Sequence, residues 1–276
     1  PPANDNCATA TALSVNPDDS CTLVTPGTVA LATGSPEANT CGGNDDDDVW
    51  FEFTATNTSH IISLLNVAGG TPDLFHVVYQ GDVCGSLTQL YCSNPDTSVA
   101  NGLTIGQTYK VRVYTFTGTG GQTTSFDICV GTPPPPPAND ECATATVLTV
   151  NPTLDCTAFE TGTVEWSTPS AEANTCTGTD DDDVWYEFTA THTTHNISLF
   201  NVTGSTNNLV HVLYEGDNCA TMAQLYCSDP NNSTAQNLTV GQTYKIRVYT
   251  FSATTGQDTA FNICVTTPPI PPPNDE

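Results

Sequence analysis

Sliding the 276-residue sequence along itself by 135 positions superposes all twelve cysteines without a gap. Cys7 falls on Cys142, Cys21 on Cys156, Cys41 on Cys176, Cys84 on Cys219, Cys92 on Cys227 and Cys129 on Cys264. A repeat of this length points to two copies of one domain and not to one large core. A unit of this size buries roughly two-thirds of the surface its unfolded chain exposes, enough for a core of its own.

The copies occupy residues 1–132 and 139–267. Residues 133–138 between them contain the run Pro133–Pro137, whose composition favours a polyproline II spacer of about 15 Å at ~3.1 Å per residue. Residues 268–276 are again proline-rich, and Asn274-Asp275-Glu276 copies Asn139-Asp140-Glu141. This tail reads as the start of a next repeat or as an adaptor peptide.

The cysteines recur in even number with no CxxC pair, which points to disulfides made in an oxidising compartment. Four basic residues stand against 30 acidic ones, a net charge of −26, and so large an imbalance excludes nucleic acid as a partner. No apolar run approaches the roughly 20 residues that cross a bilayer, so no membrane insertion is expected. The expected location is extracellular or on a bacterial cell surface.

Short runs rich in β-branched and aromatic residues, separated by Gly, Asn, Asp and Pro, predict strands near Thr22–Ala32, Val49–Thr56, His60–Val67, Leu74–Gln80, Tyr109–Phe116 and Ser125–Val130, with shorter ones near Ala12–Val15 and Thr88–Cys92. Helical periodicity is nearly absent. The fold class is all-β: two tandem antiparallel β-sandwich, jelly-roll-like domains. The segment Leu103–Tyr109, repeated as Leu238–Tyr244, fits a corner in which a tyrosine hydroxyl bonds back to the upstream backbone.

The motifs Asn4-Asp5-x-Cys7, Asp48-Val49-Trp50-Phe51-x-Phe53, Tyr79-x-Gly81-x-x-Cys84 leading through Leu87 and Leu90 to Cys92, and Phe126-x-Ile128-Cys129 resemble the pre-peptidase C-terminal β-sandwich repeats. Such repeats occur in large secreted and surface proteins of gliding Gram-negative bacteria. The resemblance implies a jelly-roll-like domain, often in tandem, beside enzymes or in adhesins and surface fibres. No peptidase domain accompanies it in this sequence.

The densest charge is Asp45, Asp46, Asp47 and Asp48, repeated as Asp180, Asp181, Asp182 and Asp183. Four adjacent carboxylates repel one another, and calcium is the expected cofactor, with loop carboxylates and backbone carbonyls as its oxygens. The Asn-Asp pairs at Asn4 and Asn139 read as turn caps after the prolines. Cys84 with Cys92, and Cys219 with Cys227, are expected to staple a short strand pair. The other four cysteines of a repeat allow three pairings. The preferred ones are Cys7–Cys129 with Cys21–Cys41, and Cys142–Cys264 with Cys156–Cys176.

All four basic residues lie in one repeated strand as Lys110, Arg112, Lys245 and Arg247, with each pair on one face. They read as a solvated stripe carrying local ion pairs, or as a dock for an acidic patch on a neighbouring copy. His60, His76, His195 and His211 read as strand residues, Trp50 and Trp185 as core. Trp166 replaces Leu31, so a sugar-stacking role for it would exist in one repeat alone. No GxSxG, HExxH or glycine-rich phosphate loop is present, and the chain is read as a non-enzyme.

These features point to a structural unit of an extracellular filament or adhesin stalk that joins copies of itself end to end. The alternative is a carbohydrate- or surface-binding module, with surface glycans as partners, or accessory domains of a larger secreted enzyme.

Overall fold

The computed structural model describes residues 1–253 and 256–269, so the expected tail at Asn274-Asp275-Glu276 lies outside the described residues. The chain divides into two compact units, Pro1–Pro134 and Pro135–Glu276. Each is described by itself.

The first unit contains β1 (Thr11–Ala12), β2 (Thr25–Thr28), β3 (Val49–Thr54), β4 (His60–Ala68), β5 (Leu74–Gln80), β6 (Thr88–Ser93), β7 (Thr97–Ala100), β8 (Thr108–Thr115) and β9 (Ser125–Gly131). One sheet has the order β1-β3-β8-β5-β6 and the other β2-β9-β4-β7. The pairs are antiparallel except for β1 with β3. The second unit repeats this plan with β10 (Thr146–Val147), β11 (Val150–Asn151), β12 (Glu160–Thr163), β13 (Val184–Thr189), β14 (His195–Thr203), β15 (Leu209–Glu215), β16 (Ala223–Ser228), β17 (Asn232–Ala235), β18 (Thr243–Thr250) and β19 (Ala260–Thr266). The fold is the all-β tandem sandwich expected from the repeat.

Strand periodicity explains the core. Phe51, Phe53, Val78, Val111 and Val113 point from the five-stranded sheet toward Ile62, Leu64, Ile128 and Val130 of the other. Burial on this scale, at roughly 25 cal/mol per Å² of apolar surface, is the main stabilising contribution. The tyrosine corner forms in both units: the Thr104 N–H donates to the Tyr109 hydroxyl at 2.8 Å, and Thr239 to Tyr244 at 2.8 Å.

Strands β3, β5 and β8 are buried on both faces, and this explains their nearly continuous apolar runs. Their outer face carries a second cluster of Trp50, Phe75, Val77, Tyr79, Tyr114 and Cys7. That cluster lies beneath the chain segment between β2 and β3. Asn4 anchors the N-terminal stretch: its amide donates to the Trp50 carbonyl at 2.9 Å, while Asp5 accepts from the Thr33 N–H at 2.7 Å and its hydroxyl at 2.8 Å. The Asn-Asp pair therefore seals a third layer, a role beyond the turn cap read from sequence.

The disulfides correct the expected pairings. The observed bridges are Cys7–Cys84, Cys21–Cys129 and Cys41–Cys92, repeated as Cys142–Cys219, Cys156–Cys264 and Cys176–Cys227. Cys84 cannot meet Cys92, because Cys84 sits in the β5–β6 connection while Cys92 lies opposite Val77, four residues along β6 from Thr88. At about 3.3 Å per residue, that is roughly 13 Å. Cys219 and Cys227 are parted in the same way by β16. Cys7 and Cys129 cap opposite outer faces of the sandwich, since Cys7 belongs to the outer cluster while Cys129 on β9 alternates with inward Ile128 and Val130. Cys142 and Cys264 are separated likewise, which leaves Cys21 and Cys156 for Cys129 and Cys264.

Candidate binding face at the loop end

The acidic run is the hinge of the site. Arg112 on β8 and its copy Arg247 are completely buried, so the expected solvated or docking stripe is corrected. In the second unit, Arg247 meets Asp183 at 2.6 Å and Asp180 at 2.9 Å. Its guanidinium also donates to the carbonyls of Glu172 at 3.0 Å and Ser170 at 3.3 Å. Arg112 pairs with Asp48, and with Asp45 at 2.9 Å. It lies over Trp50 at 5.4 Å and beside Tyr114 at 5.9 Å, both favourable for a cation. Lys110 and Lys245, also buried, pair with Glu52 and Glu187.

A third carboxylate is spent on backbone. Asp47 accepts from the Thr115 N–H at 3.0 Å and its hydroxyl at 2.7 Å, and Asp182 does the same for Thr250 at 2.9 and 2.6 Å. Burial raises the pKa of Asp47, and raises that of Asp182 to about 6, although the threonine bonds oppose the shift. Of the four carboxylates read as calcium ligands, Asp45, Asp47 and Asp48 thus have protein partners, and Asp46 faces solvent. In the second unit Asp181 is half-buried, with an unpartnered Oδ1.

Three loops converge just past β8. Gly43 (φ +79°) lets its loop approach the Phe116 backbone, where a Cβ would stand 3.2 Å from the Phe116 Cα; Gly178 (φ +90°) does the same for Phe251. The Phe116 N–H donates to the Asp73 carbonyl at 3.0 Å, tying in the β4–β5 loop, and Thr71 donates to Gln122 at 2.8 Å. A side chain at Gly118 would collide with the Asn44 amide. The backbone before and after Phe116 is fixed, yet half the residue remains exposed, 50%, against 41% for Phe251.

Beneath Phe116 the rings stack. Phe116 lies 5.9 Å from Phe75 at 20°, and Phe75 lies 5.6 Å from Tyr114 at 8°. Tyr114 donates its hydroxyl to the Gly42 carbonyl at 2.8 Å and accepts from the Asn39 amide at 3.0 Å. The result is a half-exposed aromatic residue on a stack of rings, with exposed Asn44 on the loop that packs against its backbone. An aromatic face bounded by hydrogen-bonding groups suits a pyranose, whose C–H face stacks while its hydroxyls bond at the rim. In the sequence Phe116 reads only as the end of the strand Tyr109–Phe116, and Phe251 is its copy 135 residues on. An aromatic residue opening a Thr/Gly-rich loop was the available signal.

The other sequence candidates are structural. Trp50 and Trp185 are fully buried, with indole N–H groups donating to Asp48 and Asp183 at 2.9 Å. Leu31 and Trp166 occupy the left-handed corner of a tight turn, φ +63° in both, and Trp166 is half-buried. His60 Nε2 accepts from the Thr56 N–H at 3.0 Å while its Nδ1 faces the Gly131 carbonyl, which makes it the neutral Nδ1–H tautomer. His76 Nε2 lies 2.6 Å from Ser98 Oγ, but the imidazole is buried and its Nδ1 has no carboxylate to orient it. It lacks the third member of a nucleophile–base–acid arrangement. The groups Cys7, Glu37, Cys84 and Cys142, Glu172, Cys219 bring metal-ligating types together, yet their sulfurs are disulfide-bonded and offer no thiolate. Among the described residues, no helix is long and apolar enough to cross a membrane.

No curated protein matches this sequence. Solved structures align only distantly. The CUB1-EGF-CUB2 domains of rat MASP-1 share 7% identity over 87% of this chain and 96% of theirs, with a TM-score of 0.21. The tandem CBM51 modules of Sp3GH98 from Streptococcus pneumoniae SP3-BS71 share 8% over 80% and 82%, with a TM-score of 0.22. PNGase F, a glycosylasparaginase from Flavobacterium meningosepticum, shares 13% over 89% and 97%, with a TM-score of 0.20. At these scores none of the three carries a conclusion about this chain. A family model described as galactose binding domain-like and T9SS-associated matches twice, over residues 3–128 and 138–263. It supports the tandem β-domain and the secretion context of the resemblance noted above, though not the pre-peptidase type in particular. The chain belongs to the T9SS-associated galactose binding domain-like family, with two copies in tandem.

Proposed function

We propose that the protein is a secreted, non-catalytic carbohydrate-binding module that holds surface glycans, or an accessory unit that delivers a partner domain to them. The observation that carries this reading is the half-exposed Phe116, stacked on Phe75 and following Thr115, whose backbone N–H and hydroxyl are held by Asp47. Family membership points to galactose-like sugars as the first ligands to try. The tandem arrangement suits a weak binder, because two linked sites raise avidity without new contacts.

End-to-end assembly through the basic stripe has lost its dock, since Lys110 and Arg112 are sealed under the third layer. Calorimetric titration of the intact chain with galactose and β-galactosides tests the sugar reading. Binding that disappears in the Phe116→Ala/Phe251→Ala double variant, with melting unchanged, supports it. Binding that survives the double variant, or is absent from the native chain, refutes it.

A further inference from the structure

The two copies differ where the ring beneath the platform stands. In the first unit, Phe75 lies between Tyr114 and Phe116, and the adjacent loop residue is Gly42. A Cβ at Gly42 would come within 3.4 Å of the Phe75 ring, so a smaller neighbour and a larger ring go together. In the second unit both positions change: Val210 stands for Phe75 and Thr177 for Gly42. The rest of the frame is retained. Tyr249 donates to the Thr177 carbonyl at 2.9 Å and accepts from Asn174 at 3.0 Å, as Tyr114 does with Gly42 and Asn39. Among the described residues, no ring stacks on Phe251.

We infer that the two sugar platforms are unequal, with Phe75 as the positioning residue that makes the first unit the tighter site. This rests on the carbohydrate reading above and adds which copy dominates and why. The ring of Phe116 already lies nearly parallel to a fixed partner, so it surrenders little freedom when a pyranose stacks on its other face. Val210 takes the place of Phe75 in the second unit, so among the described residues Phe251 lacks the aromatic partner that orients Phe116, and the ligand has more of the orienting of its ring to do. An aromatic pair in good geometry is worth about 0.5–1.5 kcal/mol beyond its area, which sets the expected gap at roughly two- to tenfold in Kd.

The test uses the intact chain and β-galactosides. Phe251→Ala leaves the first platform alone and Phe116→Ala leaves the second, so titrating each variant reads one site at a time. The expected result is a Kd roughly two- to tenfold lower for the first. Phe75→Val should remove that advantage. Thr177→Gly/Val210→Phe should build the stack in the second unit and tighten its site by a similar factor, a gain that loss of structure cannot imitate. Equal affinities at the two sites, or no gain from the transplanted pair, overturn the inference and leave the carbohydrate reading standing. No binding at either site removes the carbohydrate reading and the inference with it.

Discussion

Arg247 and Asp183 meet at 2.6 Å with both side chains fully withdrawn from solvent, and Arg112 repeats the pairing with Asp48. Leaving one member of such a buried pair alone is strongly destabilising, by about 3–5 kcal/mol, because the survivor is an uncompensated charge. Asp48→Ala should therefore drop the melting transition of the first unit and leave that of the second in place. Differential scanning calorimetry should resolve the two; a single transition near the native temperature would contradict the role given to Arg112.

The same guanidinium bears on calcium. Arg112 offsets one of the two charges of Asp45 and Asp48, and Thr115 hydrogen-bonds Asp47, so the folded run already has protein partners without a cation. Chelation with EDTA should leave both transitions unchanged. A fall of several degrees on chelation, restored by calcium, would show that the run holds the cation expected from the sequence.

Acid should act on the units through two opposed groups. Burial lowers His76 and His211 to about 4, below the 6.5 of an unfolded histidine. Their contribution is complete above pH 6.5 and is lost as pH falls toward 4, since the unfolded chain takes up the proton first. Asp182, raised by burial to about 6 from 3.8, runs the other way: its contribution is full below 3.8 and is lost as pH rises through 6. Between pH 4 and 6.5 the two largely cancel in the second unit. Asp182→Asn should unmask a loss of stability on acidification, and His211→Gln the reverse slope. Melts at pH 4, 5, 6 and 7 decide it; identical slopes in the two variants would sink the assignment.

Cys41–Cys92 clamps the loop that carries Gly42, Gly43 and the acidic run to β6. The loop it closes spans 51 residues, and chain entropy alone puts its worth at about 4 kcal/mol. Replacing both cysteines by alanine should lower the first transition and weaken sugar binding at Phe116 more than at Phe251. Equal weakening at both sites would mean the clamp does not shape its own platform.

How far the sequence reaches is clear from individual residues. Duplication, strand alternation and the Leu103–Tyr109 corner were legible because they follow from local spacing. The cysteine partners were not, since local spacing does not show the third layer through which Cys7 reaches Cys84 and Cys41 reaches Cys92. Arg112 was misread for the same reason. On a lone sheet, period two makes its face solvent-facing, and only the β2–β3 segment folded over it turns Asp45 and Asp48 into its partners. Phe116 was legible as an aromatic strand end; its exposure depends on the loop of Gly43 pressing on its backbone and not on its ring.

The proposed function rests on one exposed aromatic residue in each unit, Phe116 and Phe251, being the contact for a sugar. Carbon-13 labelling of phenylalanine side chains, followed by NMR during addition of a β-galactoside to the intact chain, looks at those rings directly. The Phe116 and Phe251 ring signals should move in a saturable manner, while those of buried Phe51, Phe53 and Phe126 stay still. Saturable shifts confined to other rings, such as Phe159, or no shift at any ring, would contradict the assignment.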